Sequence, residues 1–278
     1  MRIHMKTLFS FAVAGGMLAS FLGQTALAQV VMNGDTITVE VTNEGNSDFF
    51  LTPFWFGFHD GGFDLFDSGS PAAPFLEVIA EVGDVEPLMD AFEASPASPG
   101  DINGVVASPM GPPPLAPGET ASSTVTAINP SSYQYFSFAS MVVPTNDTFI
   151  GNSNPTAHQI FDGADNFLGT GGVFEIQIFG NQIYDAGTEV NDAGADGGAA
   201  FAQGRDGEEG AVEGGNVTLA TDLSEFAGLV TPPGTTINDT VIGAGELVAT
   251  IRISIVPEPT SIALIGMGLV GLCGIRRR

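Results

Sequence analysis

The stretch Thr36-Ile-Thr-Val-Glu-Val-Thr42 alternates apolar and polar residues without exception. A period of two fits a strand with one buried face, so Ile37, Val39 and Val41 face a core and Thr38 and Glu40 face out. Phe174-Glu-Ile-Gln-Ile-Phe179 repeats the signature, with Phe174, Ile176 and Ile178 on one side. Thr120 to Ile128, Tyr135 to Val143 and Leu247 to Ile255 are further β-branched or aromatic runs, and Phe49 to Phe58 predicts a strand buried more deeply than the others. Only Phe75 to Val82 and Val85 to Phe92 carry helical spacing, ahead of a Pro/Gly-rich loop from Ser95 to Gly118. The 37 glycines and 18 prolines follow no collagen period. About eight short strands at irregular spacing, with no internal repeat, predict an all-β fold: an antiparallel β-sandwich with a small helical insertion.

Both ends of the chain differ from this pattern. Residues 1–28 combine a short basic start, an apolar run from Leu8 to Leu22 and the small-x-small site Ala26-Leu-Ala28, which reads as a secretory signal peptide with Gln29 as the first mature residue. Val256-Pro-Glu-Pro-Thr-Ser261 precedes an uncharged run from Ile262 to Ile275 and then Arg276 to Arg278. Bare, this is a short stop-transfer or transmembrane segment with arginines on the cytoplasmic side, although fourteen residues fall below the ~20 that cross a bilayer comfortably. The order Pro-Glu-Pro, apolar run, arginine cluster over residues 256–278 resembles the PEP-CTERM sorting signal. That resemblance implies an exosortase-type processing enzyme as partner and delivery to the envelope or extracellular space of a Gram-negative bacterium. The domain proper is then 29–255, and Cys273 lies in the tail, so the mature domain has neither disulfide nor thiol chemistry.

Between Gln29 and Val256 there are 31 acidic residues against two basic ones, Arg205 and Arg252, a net charge of −29. Phosphate recognition needs basic groups that this domain lacks, which excludes nucleic acid as a partner. Strong self-repulsion favours solubility and attracts cations; adaptation to saline water explains the same composition.

The clearest chemical constellation is acidic. Pro144 ends the Tyr135–Val143 run, because it has no N–H for a ladder, and Asn146 and Asp147 follow with turn chemistry. Asp185 and Glu189 flank a glycine-containing turn after another apolar stretch. A sandwich could bring these three carboxylates to one rim, where calcium, a hard cation taking six to eight oxygens, could also draw on loop carbonyls and water; alternatively they cap turns or face water. Asp60, Asp64 and Asp67 present the same choice, with turn capping preferred. Asp162-Gly-Ala-Asp-Asn and the turn from Asp192 to Asp196 lack the EF-hand spacing.

Three segments in order, His59-Asp-Gly-Gly-Phe-Asp-Leu-Phe-Asp67, Ser140-Met-Val-Val-Pro-Thr-Asn-Asp-Thr-Phe-Ile-Gly151 and Tyr184-Asp-Ala-Gly-Thr-Glu189, resemble the spondin amino-terminal domain over roughly residues 35–195. The resemblance implies a sandwich similar to those of calcium- and lipid-binding modules, and a Ca2+ site at Asp147, Asp185 and Glu189, the last standing where the family has aspartate. Animal spondin domains carry cysteines that are missing here, so their disulfide geometry does not transfer. The glycine-, alanine- and acid-rich stretch at about 193–215 reads as a mobile loop.

Catalytic signatures are sparse. The mature chain has His59 and His158, no lysine, no metal-binding His spacing and no Gly-x-Ser-x-Gly elbow. The expected function is therefore non-enzymatic: a calcium-binding adhesion or interaction module that meets an extracellular polymer or surface protein. The alternatives are a calcium-dependent carbohydrate-binding module using exposed aromatics such as Trp55 or Tyr184, and a secreted hydrolase.

Overall fold

The computed structural model describes residues 29–98, 102–109, 114–194, 198–203, 210–220 and 222–256. The signal-peptide reading and the membrane-crossing reading of Ile262 to Ile275 fall outside them; among the described residues no helix is long and apolar enough to cross a membrane.

In chain order the elements are β1 (Gln29–Val30), β2 (Thr36–Asn43), β3 (Phe50–Leu51), β4 (Phe54–His59), α1 (Pro74–Val82), α2 (Glu86–Glu93), β5 (Asn103–Val106), β6 (Thr120–Thr126), β7 (Tyr135–Val143), β8 (Thr148–Gly151), β9 (Asn166–Phe167), β10 (Val173–Phe179), β11 (Ile183–Asp185), β12 (Thr218–Leu219) and β13 (Leu247–Val256). One sheet has the order β10-β13-β2-β6; the other runs β12-β11-β8-β7-β4-β5 with β3 also paired to β7. Every ladder is antiparallel, including the short β1–β9 pair.

The alternating strands meet the expectation set by their period. Ile37, Val39 and Val41 of β2 are buried and register with Ile255, Ile253 and Ile251 of β13. These side chains face Phe54, Phe56 and Phe58 of β4 and Phe136 and Phe138 of β7 across the first core. There Phe54 stacks on Phe138 at 5.5 Å between ring centroids, and Phe58 meets the edge of Phe136 at 5.1 Å.

The opposite face of the larger sheet is covered as well. Trp55, Ala139 and Phe149 pack against Leu76, Ile79 and Ala80 of α1 and Leu88 and Phe92 of α2, forming a second core. A sheet buried on both faces needs continuous apolar strands, which is why Phe-Trp-Phe-Gly-Phe in β4 does not alternate. Gly57 marks the closest approach: a Cβ there would lie 2.7 Å from the Phe92 ring and 2.8 Å from Trp55.

Several expectations need correction. The Phe49–Phe58 strand is split between β3 and β4 at Pro53, which lacks a ladder donor. β5 lies inside the stretch read as loop and pairs with β4. β13, the last strand in the chain, is central in its sheet, between β10 and β2. In the acidic 193–215 segment, Ala199, Ala200 and Ala202 are buried, and Ala200 N–H donates to Thr145 O at 2.9 Å.

The two tips of the sandwich are distinct. At one, β7 ends beside β3, with Val143 opposite Phe50, and Asn43 at the end of β2 donates from Nδ2 to Phe49 O and Leu115 O. At the other, Val256 ends β13 opposite Thr36, and the Gln29 amide donates to Ile255 O. Both ends of the described chain therefore leave from the tip opposite Asp147.

Phe138→Ala in the first core is expected to cost about 3–5 kcal/mol, whereas Leu219→Ala on the exposed β12 stays within about 0.5 kcal/mol. Urea unfolding of the mature chain measures both.

Candidate cation site

Asp147 stands in the turn that joins β7 to β8, after the cis Val143–Pro144 bond. Its side chain is fully buried. Oδ2 accepts three hydrogen bonds from the arm after β11: Thr188 N–H at 2.8 Å, the Thr188 hydroxyl at 3.1 Å and Glu189 N–H at 3.0 Å. The Asp147 carbonyl accepts from Ala186 N–H at 3.1 Å. Two loops 41 residues apart in sequence are thus joined through one carboxylate, and Oδ1 of that carboxylate is buried with no hydrogen-bond partner among the described residues.

Asp185 lies beside it. Its Oδ1 accepts from Gly187 N–H at 2.8 Å and its Oδ2 from the Asn191 amide at 2.7 Å. That leaves Asn191 Oδ1 as a second buried acceptor with no donor. Gly187 has a φ of +68°, and a Cβ there would stand 2.6 Å from Asn216 O, so this turn depends on glycine for both its backbone and its space.

Glu189 is buried too, and its carboxylate has partners of its own. Oε1 accepts from Gly210 N–H at 2.6 Å, and Oε2 lies 3.4 Å from the Asn146 amide. It ties the arm to residues 210–213, where Val190 N–H donates to Ala211 O and Glu213 N–H to Thr188 O.

Glu81, in the last turn of α1, is a member that the sequence reading did not name. The Thr188 hydroxyl, whose single proton goes to Asp147 Oδ2, also lies beside the Glu81 carboxylate. An acid in a helix's last turn also meets the negative end of the helix dipole, with no basic residue there to offset it. Burial, followed by the charges of Glu189, Glu77 and Asp147, pushes the Glu81 carboxyl up to about 7, against the nearby Thr188 hydroxyl. Burial, followed by the charge of Asp185, raises Asp147 to about 6 in spite of its three donors.

The donor set, carboxylates and an amide oxygen, suits a hard cation. Among the described residues no three Asp, Glu or His side chains are grouped as a metal-ligand set. A cation here would therefore draw on Asp147, Asp185 and Asn191 and complete its shell from loop carbonyls and water.

Asp60 and Asp162 act as turn caps, and the Asp192–Asp196 turn lies partly outside the described residues. Asp60 Oδ1 caps Gly62 N–H, and Asp162 accepts from Ala164 N–H, Asn166 N–H and the Asn166 amide. His59 is sealed in the second core: Gly61 N–H donates to Nδ1, so Nε2 carries the proton and donates to Ser137 Oγ at 2.9 Å. Burial lowers His59 to about 4 even beside Asp60, and lowers His158 to about 4. Trp55 is not an exposed aromatic but fully buried beneath the helices, and Tyr184 is packed against Phe66 and Phe149.

Residues 256–278 match the family model of the PEP-CTERM protein-sorting motif. The protein is thus an exported bacterial chain, sorted to the cell envelope by an exosortase-type enzyme. No curated protein matches the chain at a significant level. The likeness to the spondin domain has no family model behind it and rests on its three segments alone.

The raised carboxyls fix a pH dependence. A folded-state value above the unfolded one means that the folded chain binds the extra proton, so stability is full below the unfolded value and is lost as pH rises through the folded one. For Asp147 the window runs from the ordinary 3.8 to about 6 and is worth about 3 kcal/mol; Glu81 extends it from 4.5 to about 7. In chelator, the melting temperature is expected to fall between pH 4 and pH 7, and Asp147→Asn to flatten the lower part of that fall, as followed by circular dichroism.

Proposed function

We propose that this protein is a non-enzymatic envelope or matrix module of a Gram-negative bacterium whose sandwich tip binds Ca2+ at Asp147 and Asp185. The observation that carries this reading is Asp147 Oδ1, a fully buried carboxylate oxygen without a donor, in a site where Asp185 and Glu81 add negative charge. An unpaired buried charge is costly, and among the described residues the one arginine, Arg252, is committed to Glu175 on the sheet surface. A bound divalent ion supplies the missing positive charge, and the flexible shell of calcium tolerates the loop carbonyls and water that this turn offers.

In this reading Asp147 and Asp185 hold the ion, Asn191 Oδ1 adds a neutral oxygen, and Glu189 keeps the arm closed over the site through Gly210 and Asn146. The ion would tie the β7–β8 turn to the β11 arm and so set the shape of the tip that meets an extracellular polymer or surface protein. Burial of both mature-chain histidines against apolar neighbours supports a role without general acid–base chemistry.

Calorimetric titration of Ca2+ into the mature chain in 150 mM NaCl tests the site, since exposed carboxylates are screened at that ionic strength. One saturable site is expected, weakened about tenfold or more, some 1.4 kcal/mol, by Asp147→Asn and by Asp185→Asn, and unchanged by Glu175→Gln. Diffuse binding that all three variants alter equally would remove the reading.

A further inference from the structure

The tip from which the chain leaves carries exposed apolar side chains. Val30 is 58 %, Met32 50 % and Val256 54 % exposed, and Ile128 and Leu168 are exposed as well. The ladders place them together: Val30 pairs with Asn166, Leu168 follows Phe167 opposite Gln29, Val256 pairs with Thr36, and Thr36 with Thr126, two residues before Ile128. Reciprocal bonds between Asn33 and Asn129 hold the Met32 segment against the Ile128 segment. The other exposed large apolar side chains, Val82, Val190, Val212, Leu219 and Val241, are spread over the helical layer, the long arm and a loop.

The acids are fewer at this tip, and their carboxylates are taken up by nearby N–H donors. At the terminal tip Asp35 is buried and caps Met32 N–H, Asp165 accepts from Ser131 N–H, and Asp162 is taken up by its own turn. The far tip holds Asp147, Asp185 and Glu189, together with Glu44, Asp48 and Glu246 near the start of β13.

What lies beyond Val256 supplies the occupant. Only residues 257–261 separate β13 from the apolar run, and five extended residues span at most about 17 Å. The apolar run of fourteen residues is shorter than the ~20 that cross a bilayer comfortably, and such a mismatch is relieved in part by drawing the flanking chain toward the bilayer. We propose that, while the sorting segment is attached, the tip bearing Val30, Met32, Ile128, Leu168 and Val256 rests on the lipid surface. Its exposed apolar groups enter the interface, and the acidic tip, repelled by anionic lipid, points outward. This does not depend on the cation reading, and removal of the sorting segment would free the domain.

The test uses residues 29–278 with Cys273→Ser, reconstituted in phosphatidylethanolamine and phosphatidylglycerol vesicles containing spin-labelled lipid. An environment-sensitive fluorophore is placed on Ser132→Cys at the terminal tip or on Val241→Cys elsewhere. The dye at position 132 is expected to lose most of its emission and the dye at 241 to keep it. Combined Val30→Ser, Met32→Ser and Leu168→Ser should restore emission at position 132 without changing the circular dichroism melt. Equal quenching at both positions, or quenching that survives the triple change and so reflects the tether alone, would overturn the proposal. Concentration-dependent self-quenching at position 132 in detergent would overturn it too, by assigning the patch to a second copy.

Discussion

A domain with 31 carboxylates and two guanidinium groups cannot compensate its buried charges with salt bridges. Each carboxylate that leaves water must instead find N–H donors, a proton or a bound cation. Most find N–H donors: Asp35 takes Met32 N–H, Asp48 takes Asn238 and Asp239 N–H, and Glu189 takes Gly210 N–H. These bonds fasten loops to one another and to the sheets, so the excess acid contributes to tertiary structure as well as to solubility. Asp147 is where this compensation runs short. Its inner oxygen has no donor among the described residues, and burial, followed by the charge of Asp185, raises its carboxyl.

With no cysteine in the described domain, cohesion falls to aromatic packing. The Phe residues of β4 and β7 fill the space between the sheets, and the helical pair covers the back of the larger sheet through Trp55, Phe92 and Phe149. This second layer also shapes the site. It puts the C-terminal end of α1, and with it Glu81, against the arm that Asp147 holds. A sheet left bare on that face would have had no reason for Glu81 to be drawn partly out of water.

The fold also has polarity. Asp147, Asp185 and Glu189 lie at the tip where β7 turns into β8, while both ends of the described chain leave from the other tip, where the exposed apolar side chains Val30, Met32 and Val256 lie. For an exported protein bound for the envelope, the proposed lipid contact and the proposed cation site would give one end to attachment and the other to encounter.

Period-two alternation in β2 and β10, the aromatic runs of β4 and β7 and the two helical segments were legible in the residues themselves, because burial on one or both faces writes directly into side-chain order. So was the sorting tail, whose parts are contiguous. β5 was not, since two valines among glycines and prolines carry no period, and Ala199 and Ala200 were not, since alanine signals burial only through what packs on it. At the site, Asp147 and Asp185 could be named from turn chemistry, but the sequence could not say which way Glu189 turns or that Glu81 and Asn191 join them. Those are long-range contacts, decided by the register of β8 against β11 and by the seating of α1 on the sheet, and only the tertiary structure contains them.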